Sequence, residues 1–214
     1  MIDTVTFEND YGEILRPFED YGVLMVSHDA PPPTPKSYTV SLEGADGYLD
    51  MTEWAGEVRY NARSVSLKLR DMETDAHKAI MQFIAGRKVR ITFSEEPDYY
   101  LIGRCDKPAE TTRKRVTDVS LSFTCQPWKL AHIPTIRTGN PTEQGISIPL
   151  TAARKSAIPK ITVTEECTLA YGNYSVTLSP GTHTVPQIVI TDRTQILTVT
   201  GSGKITLEWQ DGVL

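Results

Sequence analysis

Two runs of strict alternation, parted by a long turn-rich stretch, constrain this chain more than anything else in it. In the first, Tyr38, Val40 and Leu42 alternate with Thr39, Ser41 and Glu43; in the second, Val65, Leu67 and Leu69 alternate with Ser64, Ser66, Lys68 and Arg70. A period of two puts each apolar set on one face, so both runs read as half-buried β-strands. Each buried side chain of this kind contributes ~1.5–3 kcal/mol, which favours the register that keeps the apolar set inside. Between the runs lie residues 43–60, EGADGYLDMTEWAGEVRY, with turn signals at Ala45-Asp46-Gly47 and Trp54-Ala55-Gly56. Gly47 and Gly56 take φ > 0 at little cost and can close tight bends. The apolar run between them, Tyr48, Leu49 and Met51, is broken by Asp50 and Thr52. The stretch reads as the elaborated tip of a hairpin, with a long surface loop as the plain alternative. A loop of this length in a compact domain is more often functional than idle.

The rest of the first 130 residues reads as strands around one helix. Residues 4–8 and 21–28 are the first strands. In the second of these Tyr21, Val23 and Met25 face one way and Gly22, Leu24 and Val26 the other, which predicts cover on both sides. The proline run 30–35 predicts a stiff extended connector. Residues 74–85 predict a helix: Thr74 as its cap, Asp75 in the first turn, Gly86 at its end, and an apolar stripe of Ala76, Ile80, Phe83 and Ile84. His77 and Lys78 fall on its polar side, with no partner in sight for His77 as a base. Strands follow at 88–94 and 99–105, joined by the turn Glu95-Glu96-Pro97-Asp98, whose carboxylates read as a solvated tip. A polar connection at 107–115 precedes a last strand through Val119, Leu121, Phe123 and Cys125, ended by Pro127-Trp128.

After Trp128 the composition shifts. Residues 131–157 hold Pro134, Gly139, Pro141, Gly145 and Pro149, and the region beyond is rich in Thr, Val and Ile, so two domains are expected, 1–130 and 131–214. Candidate strands at 146–150, 160–164, 174–179, 188–191, 196–200 and 204–210, with no helix signal, read as a small β-sandwich. Turns are expected at Gly172, Pro180-Gly181, Asp192-Arg193 and Gly201-Ser202-Gly203. Ile205, Leu207 and Trp209 would face the core, although an aromatic on such a module can instead be a sugar-stacking platform. The fold class is therefore mainly β with one α-helix.

Charge and motifs exclude more than they assign. The net charge is −5, and all of the acidic excess lies in the first 130 residues. Nothing is basic enough for phosphate-driven nucleic-acid binding; Arg113-Lys114-Arg115 reads as a solvated hairpin tip. No apolar run approaches the ~20 residues of a membrane span, and MIDTVTFEND lacks the basic and apolar regions of a secretory signal. A reducing cytoplasm during assembly is expected. In it the three cysteines, Cys105, Cys125 and Cys167, would remain thiols. There is no Cys/His cluster at zinc spacing, no phosphate loop, no Gly-x-Ser-x-Gly elbow, no His-Glu-x-x-His and no Rossmann glycine pattern. The four histidines, His28, His77, His132 and His183, are scattered. Catalytic residues, metal ligands and cofactors are all expected to be none, and the chain is expected not to be an enzyme.

A set of short motifs, taken in order, resembles a known family. They are Asp20-Tyr21-Gly22, Pro31-Pro32-Pro33, Gly44-Ala45-Asp46-Gly47-Tyr48-Leu49-Asp50-Met51-Thr52, Tyr60-Asn61-Ala62-Arg63, Phe83-Ile84-Ala85-Gly86, Gly103-Arg104 and Phe123-Thr124-Cys125-Gln126-Pro127-Trp128. In order and spacing they resemble the distal tail proteins of long-tailed, non-contractile (siphovirus-type) bacteriophages, with Ala45 standing where that family usually has a charged residue. The resemblance implies an N-terminal split-barrel-like domain with a hairpin arm and a C-terminal galectin-like β-sandwich. It also implies a homo-hexameric ring at the virion tail tip, in contact with tail tube, tail-tip hub and tape-measure proteins and with receptor-binding proteins. Tyr48, Leu49, Met51 and Trp54 would then form an intersubunit arm. The alternative from another class is a non-catalytic carbohydrate-binding module, which requires an exposed aromatic platform; a hydrolase-associated tail component would require a catalytic constellation.

Overall fold

The computed structural model describes residues 2–214 except Ala55, Lys107, Lys114 and Arg115. Of the basic triplet at the expected hairpin tip only Arg113 lies within the described residues, and the Trp54-Ala55-Gly56 turn is described without its centre. The chain is mainly β and divides into two compact units, Met1–Lys129 together with Leu214, and Leu130–Val213.

The first unit contains β1 (Val5–Asn9), β2 (Ile14–Leu15), α1 (Pro17–Tyr21), β3 (Leu24–Asp29), β4 (Thr39–Val40), β5 (Leu49–Asp50), β6 (Arg63–Glu73), α2 (Thr74–Ile84), β7 (Lys88–Phe93), β8 (Tyr99–Cys105), β9 (Ala109–Arg113) and β10 (Val116–Cys125). One antiparallel sheet runs β2-β1-β7-β8-β10-β6-β3, and β9 pairs with β10. The ring of Phe7 on β1 stacks on that of Phe123 on β10 at 5.8 Å. Those strands are three ladder steps apart, which in a flat sheet would separate them by ~14 Å. The sheet is therefore strongly curled, its inner face closing on itself, while its end strands β2 and β3 are not paired to each other. Inside lie Phe7, Val65, Leu67, Leu69, Ile91 and Leu121, all essentially inaccessible. The α2 stripe Ala76, Ile80 and Ile84 covers them as the helical period requires.

Four local expectations are corrected here. A second helix, α1, occupies residues assigned partly to strand: Pro17 sits at its first position, the Asp20 carboxylate accepts the Arg16 N–H at 2.7 Å, and Gly22 ends it at φ 68°. The strand after it is not covered on both sides, because β3 is an end strand; Val23 and Met25 are buried, but Tyr21, Leu24 and Val26 are exposed. Glu73 rather than Thr74 is the N-cap of α2. The polar connection after Cys105 contains a strand, β9, since its Thr-rich backbone completes the β10 ladder from Ala109↔Ser120 to Arg113↔Val116.

The second unit follows β11 (Lys129–Ala131), which crosses the division along the chain. It contains β12 (Thr135–Gly139), β13 (Ile146–Leu150), β14 (Lys160–Val163), β15 (Cys167–Tyr171), β16 (Tyr174–Leu178), β17 (Gly181–Thr184), β18 (Gln195–Gly201), β19 (Ile205–Trp209) and β20 (Gly212–Val213). Two antiparallel four-stranded sheets, β12-β19-β14-β17 and β13-β18-β15-β16, form a β-sandwich. Its core includes Leu150, Ile161, Leu169, Leu197, Ile205 and Leu207. β12, β15 and β17 went unread in the sequence, and Gly181 opens β17 instead of turning. Conversely, the run expected as a strand at 188–191 buries Ile188 and Ile190 yet makes only an isolated bridge, Ala157↔Ile190. A four-residue apolar run can reach a core as a loop as readily as a strand.

Candidate functional site

Between β3 and β6 the chain leaves the sheet altogether. At Pro35↔Tyr60 it forms a bridge, supported by Lys36 N–H donating to Arg59 O at 2.7 Å and Asn61 N–H to Thr34 O at 2.9 Å. Farther out, Thr39↔Asp50 and Val40↔Leu49 make a two-stranded ladder that pairs with nothing else. Met51 N–H donates to Tyr38 O, and Thr52 Oγ1 accepts Tyr38 N–H, extending the pairing by one step. The Asp50 carboxylate accepts the Thr52 N–H at 2.9 Å, and hydrogen bonding from the Thr52 side chain and then its backbone holds the acid below its ordinary pKa. Gly47 and Gly56 are at φ 81° and 94°, so the two bends form where the glycines allow.

The excursion is a slender arm with apolar side chains and no core. Tyr48 is 69% exposed, Leu49 51% and Trp54 76%, while Met51 is half-buried. The expectation that Tyr38 and Leu42 belong to a half-buried strand is wrong: both are more than half exposed. They extend the apolar surface of the arm. Their alternation is genuine, but within one chain about half of their apolar surface is left in water.

At the root the arm is clamped. Arg63, 3% exposed, donates from Nε to Pro31 O at 2.8 Å, from Nη2 to Ala30 O at 2.9 Å, and more weakly to Pro127 O at 3.4 Å. It thus holds the departing chain, the returning chain and the end of β10 together. Burial pulls its pKa down, but a guanidinium stays charged. Tyr60 packs edge-on against Trp128 with centroids 5.3 Å apart. Motif residues quoted above thus meet at one point, although they are distant in sequence.

A concavity of about 290 Å³ lies beside the root and is lined by His28, Phe93, Glu95, Glu96, Tyr99 and Lys129 among others. The His28 ring stacks on Phe93 at 4.4 Å and its Nε2 lies 3.5 Å from Glu95; Lys129 Nζ is 2.6 Å from Glu96. Glu95 thus lies beside an imidazole and Glu96 pairs with Lys129, yet both carboxylates stay more than half exposed, as a solvated tip requires. His77 likewise has a carboxylate beside it, Glu110 of β9, at 3.2 Å though outside hydrogen-bond geometry. Neither His–Glu pair has a hydroxyl or thiol nucleophile in its described contacts. The three cysteines are buried thiols; burial pushes Cys105 up to about 11 and Cys125 up to about 12. They are far from the thiolate form that reacts. No group of three or more metal-ligating side chains occurs among the described residues, and no helix there is long and apolar enough to cross a membrane.

In the sandwich, Trp209 is 3% exposed and its Nε1–H donates to Asp211 at 3.2 Å. It is core, and the large apolar side chains this unit exposes among the described residues are isoleucines: Ile133, Ile136, Ile158 and Ile196. The aromatic platform that saccharide stacking needs is not supplied by them.

No protein-family model and no curated protein matches this chain. Among solved structures it is similar to the Dit protein of phage SPP1, whose crystal structure is reported as a paradigm of the hub adsorption apparatus in phages that infect Gram-positive bacteria. The match has a TM-score of 0.67 and 18% identity and covers 100% of both chains. Over its whole length, therefore, this chain has the fold of a phage distal tail hub protein, SPP1 Dit.

Proposed function

We propose that this chain is a non-enzymatic structural subunit of a siphovirus-type tail, a distal tail protein. In this reading six copies close a ring that joins the tail tube to the tail tip or baseplate and acts as a hub for host-adsorption proteins. The observation that carries the proposal is the likeness to SPP1 Dit across all of both chains, arm-bearing unit and sandwich included. The unit at residues 1–130 forms the ring through its arm. The sandwich at 131–214 faces outward partners such as receptor-binding proteins, and the tube, hub and tape-measure proteins adjoin the ring. The protein is assembled in the host bacterial cytoplasm and resides at the virion tail tip, with no cofactor, no membrane and no nucleic-acid sequence to read.

An arm with Tyr48, Leu49 and Trp54 in water is a poor end state for a monomer. Inserted against the next subunit it makes a heterologous contact, the type that closes rings. Leu49→Asp then places a carboxylate in a desolvated contact and costs several kcal/mol per interface. Trp54→Ala removes an anchor worth ~2 kcal/mol or more. Both leave the core of the monomer untouched. Melting temperature and oligomer mass, measured side by side on Leu49→Asp, decide the matter: lost assembly with an unchanged monomer is the expected result. A large fall in the melting temperature of the dilute monomer would overturn the arm reading.

A further inference from the structure

The outer face of the N-terminal sheet carries an arrangement that a free monomer does not explain. Residues directly opposite in an antiparallel pair point to the same side. Leu24 lies opposite Arg70, Ser27 opposite Lys68, Lys68 opposite Ser120, Thr124 opposite Arg104, and Arg104 opposite Lys88. Lys68, Arg70, Lys88 and Arg104 therefore share the face away from the core, and all are exposed. Arg90 shares it too but is held by Glu8 at 2.9 Å, and Arg70 is 4.0 Å from Asp118. Asp29, opposite Ser66, lies on it as well. Lys68 and Lys88 have no carboxylate partner among the described residues. Lys88 directly faces Arg104, a like-charge cross-strand pair of the kind that destabilises a sheet, although the Arg104 guanidinium also donates to Gly86 O. Toward β3 the same face turns apolar, with Leu24 and Val26 exposed.

The arm has the opposite character. Glu43, Asp46, Asp50 and Glu53 fall within residues 43–58, which contain no Lys or Arg, and they are interleaved with Tyr48, Leu49 and Trp54, while Glu57 is already paired with Arg59 at 3.0 Å. We propose that the acidic, apolar arm of one copy docks on the basic outer face of β3, β6, β10, β8 and β7 of a second copy, its acids against Lys68, Lys88 and Arg104 and its apolar groups toward Leu24 and Val26. This rests on the arm reading above and adds the surface that receives it. The nine residues 34–42, extended, reach about 30 Å, long enough to carry the tip of the arm onto a second copy. The contact joins one face of a subunit to a different element of the next, so it propagates and closes into a ring. The charge pairing also sets the register of the arm and penalises a wrong partner.

The test uses the full-length chain and two charge-reversed variants. Lys68→Glu with Lys88→Glu makes the face acidic; Glu43→Lys with Glu53→Lys makes the arm basic at exposed positions. Each alone should assemble at least ten-fold more weakly than wild type by sedimentation velocity, and wild-type assembly should weaken as salt rises. Mixed in equal amounts, the two should assemble again as an alternating ring, because each arm then meets a face of opposite charge. Lys88→Glu alone guards against misfolding: it gains an opposite-charge partner in Arg104, so its melting temperature should hold or rise while assembly weakens. Normal assembly of the face variant, or no recovery on mixing, overturns the docking surface. If Trp54→Ala loses assembly while the face variant does not, the docking surface falls and the arm reading stands. If Trp54→Ala also assembles normally, or wild type stays monomeric at every concentration and salt, both fall.

Discussion

Replacing Arg63 by Met tests whether the arm is aimed by its root. The substitution keeps most of the side-chain length but withdraws every donor that Ala30 O, Pro31 O and Pro127 O receive from the guanidinium. Pro31 is exposed and its carbonyl can turn to water, whereas Ala30 and Pro127 are half-buried. Leaving two such acceptors unpaired costs ~1–3 kcal/mol each. Part of this is returned, because removing the buried charge relieves a desolvation that the nearby Glu96 offsets only in part. The net expectation is a loss of about 2–4 kcal/mol. At about 3 °C per kcal/mol for a unit of this size, the melting temperature should fall by about 6–12 °C. Hydrogen exchange gives the local reading. The amides of Lys36 and Asn61, bonded to Arg59 and Thr34 at the root, should exchange faster by more than the global loss explains. The β6 amides should follow global unfolding alone. Arg63→Lys should recover only part, since one ammonium cannot fork to three carbonyls. A melting temperature within about 2 °C of wild type, with unchanged exchange at Lys36 and Asn61, would refute the clamp.

Three further outcomes follow from individual contacts. Burial raises the Cys125 thiol from 9.0 to about 12, so its stabilising contribution is complete below pH 9 and is lost as pH rises toward 12, because the unfolded thiol ionises first; in Cys125→Ala, stability measured by urea unfolding should decline less steeply above pH 9 than in wild type. Asp211 accepts from Thr135 Oγ1, Ala153 N–H and Trp209 Nε1–H, so Asp211→Ala should cost about 2–4 kcal/mol in denaturant unfolding of the sandwich. A Cβ at Gly103 would sit 2.3 Å from Cys125 Sγ and 3.1 Å from Thr124 O, so Gly103→Ala should cost about 1–3 kcal/mol and shift the β8–β10 ladder, measurable by thermal unfolding.

Periodicity revealed the elements whose apolar sides meet a core within one chain. The β6 alternation Val65, Leu67, Leu69, the α2 stripe and the β13 run are found where the pattern predicts. It failed where the partner of an apolar face was in question. Tyr38 and Leu42 alternate like core residues but lie on an arm, and Leu24 and Val26 look inward in sequence but face out from an end strand. Alternation reports that a strand has two unlike faces; it does not report what either face meets. The polar strands were invisible for a different reason. β9 (AETTR) and β17 (GTHT) bury no large side chain, and their strand geometry comes from the neighbouring ladder. The root of the arm was legible only as separate motifs, because Arg63 meets Ala30 and Pro127 across long sequence separations that no local pattern encodes. α1 left an overlooked signal, a proline at its start and a glycine at its end.

Closure of a ring through the arm can be weighed and seen. Native mass spectrometry of the purified 214-residue chain, paired with class averages from negative-stain electron microscopy, should show a species of six times 23.8 kDa with sixfold-symmetric projections, abolished by Leu49→Asp. A particle that remains a single 23.8 kDa chain at all concentrations and in the presence of tail tube and hub proteins, or a ring that forms undiminished with Leu49→Asp, would contradict it.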